Sequence, residues 1–228
     1  GALALSSGMA AITYAIQCIS EVGTNVVSTS QLYGGTYNLF AHTFPRQGIE
    51  VRMVSADDYE VFDNAIDENT RAVFCESIGN PAGNVVDIAR LAEIAHRHGV
   101  PLMVDNTVAT PYLCRPFELG ADIVIHSATK YLDGQGRAVG GAVVGDSKRV
   151  GEEVFCVLRT AGPTMSPFAA WIFLKGLETL SLRMRAHSAN AQGLAEWLVT
   201  QPGISRVHYP GLERHPQYEL ARRQQVSG

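Results

Sequence analysis

The residues in this chain best suited to covalent chemistry lie at Ser127-Ala128-Thr129-Lys130. They follow the apolar run Ile123-Val124-Ile125 and precede Tyr131-Leu132 and the glycine-rich Gly134-Gln135-Gly136. Two hydroxyls and a lysine are an unusual way to end a buried strand. Hydroxyls donate to phosphate oxygens, and a lysine in a partly desolvated pocket loses its proton and becomes an imine-forming amine. Upstream, Val104-Asp105-Asn106-Thr107 sets a carboxylate at the end of a second apolar run. Near the start, Ser6-Ser7-Gly8-Met9 leads into the helical apolar pattern Ala10-Ala11-Ile12-Thr13-Tyr14-Ala15-Ile16. Backbone amides at a helix N-terminus form a ready anion site, and glycine lets the anion come close.

The elements that must position these groups alternate in type. Short apolar strands are expected at 25–29, 49–54, 72–76, 101–105, 123–125 and 140–144. Helices are expected between them, at 37–43 after a tight turn at Gly34-Gly35, and from Asp87 through His98, closed by Gly99. This alternation is the signature of a doubly wound α/β sheet. Such sheets bind ligands outside the carboxyl ends of their strands, which is where Tyr33, Glu76, Asn80, Asp105 and Lys130 fall. From about residue 150 the pattern turns helical: 150–158, then a helix capped by Ser166-Pro167 to about 176, then a long amphipathic helix over 180–200 with Arg183, Arg185 and Glu196 on polar positions. Pro202-Gly203 ends that helix, and Arg206-Val207-His208-Tyr209 reads as the start of a strand. A domain boundary is placed near 181, giving a large domain at 1–181 and the beginning of a second at 182–228.

Bulk composition excludes several classes. The chain has 228 residues, 46% of them apolar and 18% charged, enough for a sizeable core. A net charge of −4 leaves no basic footprint for nucleic acid or an anionic membrane. No apolar run approaches the ~18 residues of a membrane span. Cys18, Cys75, Cys114 and Cys156 lack C-x-x-C spacing, which argues against a zinc site or a disulfide framework and fits a reducing cytosol. No metal site is expected. His126 reads as a packing or hydrogen-bonding residue, His96 and His98 as solvated cations near a helix end, and Arg222-Arg223 as a solvated helix face.

An aspartate facing a pyridinium nitrogen and a lysine forming a Schiff base are the two protein groups that pyridoxal phosphate (PLP) chemistry most needs. In chain order, Ser6-Ser7-Gly8-Met9, Tyr33-Gly34-Gly35-Thr36, Glu76-Ser77-Ile78-Gly79-Asn80-Pro81, Asp105-Asn106-Thr107 and Ser127-Ala128-Thr129-Lys130-Tyr131 resemble the PLP-dependent cysteine/methionine-metabolism (trans-sulfuration) enzymes. The resemblance covers essentially the whole chain. It implies an aminotransferase-type (fold type I) large domain with a mostly parallel sheet and the start of a small α/β C-terminal domain. The N-terminal arm would be missing and the small domain truncated.

The resemblance also implies roles. Lys130 is the Schiff-base lysine and proton shuttle. Asp105 holds the pyridine nitrogen protonated, and Thr107 supports that face. Tyr33 stacks on the ring with its hydroxyl near the departing γ-substituent. Gly8, Met9, Ser127 and Thr129 hold the phosphate, and Asn80 reaches the 3′ oxygen. A tyrosine and an arginine from a neighbouring subunit's N-terminal arm, and a C-terminal arginine for the substrate carboxylate, would lie outside the chain. The implied partners are a small amino-acid substrate and sulfide, in a cytoplasmic homotetramer whose active sites are shared between subunits.

Within the family, residues 1 to about 120 look most like O-acetylhomoserine sulfhydrylases. Residues from about 125, including Asp133-Gly134-Gln135-Gly136-Arg137, look more like O-succinylhomoserine sulfhydrylases. Both imply γ-replacement by sulfide to give homocysteine in methionine biosynthesis. Tyr33-Gly34-Gly35-Thr36 has glycine where methionine γ-lyases typically carry cysteine. Cystathionine γ-synthase or methionine γ-lyase activity is the alternative, and a catalytically silent scaffold of the same fold is the alternative from a different class. Val108 and Gln135-Gly136-Arg137 are local departures expected to reshape the pocket.

Overall fold

The computed structural model describes residues 1–227. Its apolar runs fold as β1 (Ala2–Leu5), β2 (Asn25–Thr29), β3 (Glu50–Val54), β4 (Thr70–Glu76), β5 (Leu102–Asp105), β6 (Ile123–Ser127) and β7 (Gly141–Gly145). They form one sheet in the order β1-β7-β6-β5-β4-β2-β3. The pairs β2/β3, β2/β4, β4/β5 and β5/β6 are parallel, and β7 runs antiparallel to both β6 and β1. The sheet is therefore mostly parallel, as expected.

Side chains alternate between its faces, as a strand's two-residue period requires. Val73, Cys75, Leu102, Val104 and Val124 join one core, with Ile88, Leu91, Ala92, Ile94 and Ala95. Ala72, Phe74, Met103, Ile123, Ile125 and Val143 join the other, with Ala11, Ile12, Ala15 and Ile16. Helices cover both faces, which explains why the strands read as nearly continuous apolar runs rather than as an alternation.

The first core face takes α5 (Ile88–Arg97), and the second takes α1 (Gly8–Gln17). Local signals set their ends. Ser7 Oγ accepts from Ala10 N–H at 3.0 Å to cap α1, and Asp87 Oδ1 accepts from Arg90 N–H at 3.1 Å to cap α5. Gly99, at φ +72°, supplies the left-handed turn that ends α5. The remaining helices are α2 (Gly34–Asn38), α3 (Phe44–Arg46), α4 (Tyr59–Ala65), α6 (Thr110–Leu113), α7 (Phe155–Ala161), α8 (Pro167–Leu177), α9 (Leu180–Val199) and α10 (Tyr218–Gln224). No helix among the described residues is long and apolar enough to cross a membrane.

Several expectations need correction. Gly34-Gly35 is not a turn but the start of α2, which passes through a π-helical turn at Leu39–Thr43 into α3. The helix expected from 150 begins as a π turn at Arg149–Val154 before becoming α7. The strand expected at Arg206 does not form: residues 206–209 find no pairing strand among the described residues, so their backbone has no ladder to join. His96 and His98 are not simply solvated, since their Nε2 atoms lie 2.8 Å from Asp122 and Asp63 respectively. Arg222 and Arg223 are exposed, as expected, and Arg223 also pairs with Asp87 at 3.0 Å, which ties α10 to the cap of α5. His126 is buried against the sheet with its pKa pushed down by burial to about 4, so it packs as a neutral ring.

Candidate functional site

The parallel strands β2 to β6 end along one edge of the sheet. A cavity of about 650 Å³ opens there, bordered by Ser7, Gly8 and Met9 from α1, by Tyr33, Glu76, Asn80, Asp105, Thr107 and Val108, and by Ser127, Thr129, Lys130 and Tyr131. The structure thus brings together all nine residues picked out from the sequence, although they span 122 positions of chain from Gly8 to Lys130.

One wall of the cavity is suited to an anion. The first turn of α1 carries backbone amides that no helical carbonyl can satisfy, and it abuts the end of β6. A Cβ added at Gly8 would lie 2.6 Å from Ser127 Cβ and 2.9 Å from Ser127 Oγ. Behind it, a Cβ at Gly141 would come within 2.1 Å of Ser7 O. Glycine at both positions allows the helix N-terminus and the strand end to meet. Ser127 Oγ borders the cavity with no hydrogen-bond partner among the described residues. Thr129 Oγ1 is already engaged, accepting from Gly140 N–H at 3.1 Å and donating to Gly140 O at 3.3 Å. The long second bond is the one it would exchange for a phosphate oxygen.

The floor is acidic. Asp105 Oδ1 accepts from Thr107 N–H at 2.9 Å and from Thr107 Oγ1–H at 2.5 Å. Thr107 Oγ1 in turn accepts from Ser127 N–H at 2.7 Å. This relay fixes the carboxyl in place and leaves Oδ2 without a partner among the described residues. Burial raises the Asp105 pKa, and the two Thr107 bonds oppose that rise. The carboxyl is enclosed by protein yet open to the cavity, so a cationic ring nitrogen placed there would supply the missing stabilisation.

Lys130 sits in a tight turn just after β6, where Lys130 N–H donates to Ser127 O at 3.3 Å and Gly134 N–H to Lys130 O at 2.8 Å. Its side chain borders the cavity but is exposed. The partly desolvated setting expected from the sequence is therefore not built by these residues, and the ammonium has no ion-pair partner among them. Arg137, in a segment expected to reshape the pocket, turns away instead: its Nε donates to the buried Asp133 Oδ1 at 2.8 Å.

Three contributors escaped the sequence reading. His187, on α9, reaches the cavity and lies 5.6 Å from the Tyr131 ring, centroid to centroid. Arg183, one turn earlier, donates to Tyr131 O and Gly176 O at 2.7 Å each, and so buttresses the turn that follows Lys130. Arg183 was read as a polar position of an amphipathic helix, and His187 was not singled out. Glu76 was placed at a strand end without a role. It is only 5% exposed, and its Oε1 accepts from Tyr33 N–H at 2.7 Å. Burial, then the neighbouring Asp105 carboxylate, push its pKa up to about 8.

This shift has a stability consequence of definite sign. Glu76 binds its proton more tightly when folded, so its neutral form is accommodated fully below about pH 4.5, and stability is lost as pH rises towards about 8. With about 1.4 kcal/mol for each tenfold change in proton affinity, and relaxation reducing the full value, the loss is on the order of 2–4 kcal/mol. Urea titrations of the cofactor-stripped protein at pH 5 and pH 8.5 should show it, and Glu76→Gln should flatten the difference. An unchanged pH difference in that variant would exclude Glu76 as its source.

The residues present fit PLP. The α1 amides and the Ser127 hydroxyl form a phosphate cradle that any side chain at Gly8 would fill, with a buried carboxyl and a free lysine on the same cavity. Fold and cavity together define the fold type I class of PLP enzymes. Comparison with known proteins narrows this: the chain belongs to the Cys/Met metabolism PLP-dependent enzyme family, whose family model matches residues 1–228. It is 54% identical over 224 residues to an O-succinylhomoserine sulfhydrylase of Pseudomonas aeruginosa, covering 98% of this chain and 55% of that protein. It is 44% identical to a homocysteine/cysteine synthase of Saccharomyces cerevisiae, over an alignment of 261 residues covering 100% of this chain and 59% of the relative. The crystal structure of metB from Corynebacterium glutamicum superposes with a TM-score of 0.96 at 39% identity, covering 99% of this chain and 59% of that one. The chain spans just over half the length of the curated relatives it matches.

Proposed function

We propose that the chain carries the cofactor-binding part of an O-acylhomoserine sulfhydrylase that acts with sulfide on the succinyl or acetyl ester. In that reaction the γ-carbon–oxygen bond breaks, the carboxylate leaves, and a carbon–sulfur bond forms to give homocysteine. The observation that carries the reading is the 54% identity to an O-succinylhomoserine sulfhydrylase over nearly the whole chain. The succinyl ester is favoured because the relatives from Pseudomonas aeruginosa and Mycobacterium tuberculosis, 54% and 41% identical, are O-succinylhomoserine sulfhydrylases.

PLP supplies an electron sink for the carbon skeleton of an amino acid. The chain's own residues do the rest. Gly8 and Met9 amides with the Ser127 and Thr129 hydroxyls would hold the phosphate, and Asn80 would reach the ring's 3′ oxygen. Asp105, oriented by Thr107, would hold a proton at the ring nitrogen. Tyr33 would cover one ring face. A side chain at Gly35 would crowd it, with Cβ 2.5 Å from Tyr33 Cε1, so glycine keeps that ring's place open. Lys130 would anchor the cofactor and carry protons to and from the substrate carbons. The division at 181 and a cytoplasmic homotetramer with shared sites belong to the same reading.

The test is a substrate panel on the whole protein. Sulfide with O-succinylhomoserine is expected to give homocysteine, at least tenfold faster than with the acetyl ester. Methanethiol from methionine, or cystathionine from cysteine, without homocysteine from sulfide would replace the reading with a γ-lyase or a cystathionine synthase.

A further inference from the structure

Glu76 is a buried carboxyl at the cavity edge that none of the steps above uses. It is the register partner of Asp105 in the adjacent parallel strand. Two side chains paired in this way leave the sheet on the same face, so one carboxyl stands beside the other. Its hydrogen bonds lead away from the sheet. Oε1 accepts the Tyr33 amide, 43 residues earlier in the chain, and the Asn80 amide also approaches the carboxyl. The Tyr33 loop and the Asn80 loop thus converge on one side chain.

We propose that Glu76 is a positioning residue for the cofactor: by holding the main chain at Tyr33 to the strand end beside Asp105, it sets where the Tyr33 ring lies over the bound pyridine. The inference rests on the assignment of Asp105, Tyr33 and Lys130 to the cofactor. Tyr33 needs such an anchor. It precedes α2 without any side-chain cap bond of its own, it is followed by two glycines, and the residue is 48% exposed. The Glu76 contact reaches the main chain at the residue whose ring matters.

A carboxyl suits the position better than an aliphatic side chain because it offers an acceptor to two amides. Burial, then the neighbouring Asp105, favour its neutral form near neutrality. One net negative charge, on Asp105, then remains to match one cationic ring nitrogen. Glutamine, with the same shape and a carbonyl acceptor, should replace Glu76 faithfully. Alanine should not.

The experiment uses the whole protein supplied with PLP. Wild type must first show the visible band of lysine-bound cofactor, lost in Lys130→Ala. Failure at that step would overturn the cofactor site itself and not this proposal. Given the band, visible circular dichroism reports the ring's orientation, and cofactor titration of stripped protein reports affinity. Glu76→Gln is expected to keep both within about twofold of wild type. Glu76→Ala should lose at least half of the circular dichroism band and bind the cofactor about tenfold more weakly, the equivalent of one lost hydrogen bond. A wild-type band and affinity in Glu76→Ala would overturn the proposal. So would a Glu76→Gln protein as impaired as the alanine variant, because the contact would then need charge rather than an acceptor.

Discussion

Lys130→Ala in the whole, cofactor-supplied protein is expected to remove the visible band and to lower turnover by about four orders of magnitude or more. The size follows from two lost roles, the covalent anchor and the proton carrier, each worth several orders in other enzymes. The fold should hardly notice. Lys130 is exposed, with no ion pair among the described residues, so its truncation should move stability by only about 0.5 kcal/mol. The separation is the point of the measurement. Lost turnover with an unchanged thermal midpoint identifies a catalytic group, whereas a parallel fall in both would mark a structural one. Retention of the band would remove Lys130 from the site.

The second large effect is Asp105→Asn. The amide can still accept from Thr107, so the relay through Thr107 to Ser127 keeps its geometry. What goes is the charge opposite the ring nitrogen. Removing one partner from a buried ion pair costs about 3–5 kcal/mol, which corresponds to a fall in turnover of roughly two to four orders of magnitude. Stability of the stripped protein should move the other way. Asp105 stands beside Glu76 in a setting that raises both carboxyls, and neutralising one relieves the other. A stripped Asp105→Asn protein is therefore expected to melt higher than wild type at pH 8. A lower melting temperature there would show that the carboxylate is structural rather than held ready for a cation.

Much of this site was legible because its signals are local. A capping serine before a glycine, an aspartate ending one apolar run and a lysine ending the next each declare a position without reference to distant chain. The illegible parts depend on register or on which side of a helix faces inward. Glu76 acquires meaning only from its pairing with Asp105. Arg183 and His187 sit where an amphipathic helix should meet water, yet they meet the turn after Lys130 and the cavity. β1 was passed over because four residues carry no periodicity, and their partner lies far along the chain. The exposure of Lys130 could not be read at all, since burial is a property of everything around a residue.

The antiparallel closure of β1 on β7, in the register Ala2↔Val144 through Leu5↔Gly141, sets an order on assembly. Ser7 and Gly8 take their place against Gly141, so the helix end proposed to hold the phosphate is not complete until that strand is available. On a ribosome adding roughly 5–20 residues per second, the earliest part of the cradle waits on the order of ten seconds for the latest. The contact also spans a long loop, of the kind that slows a folding search. On the proposed reading, the cofactor would load only after β1 has closed on β7, so loading would report that the sheet is complete.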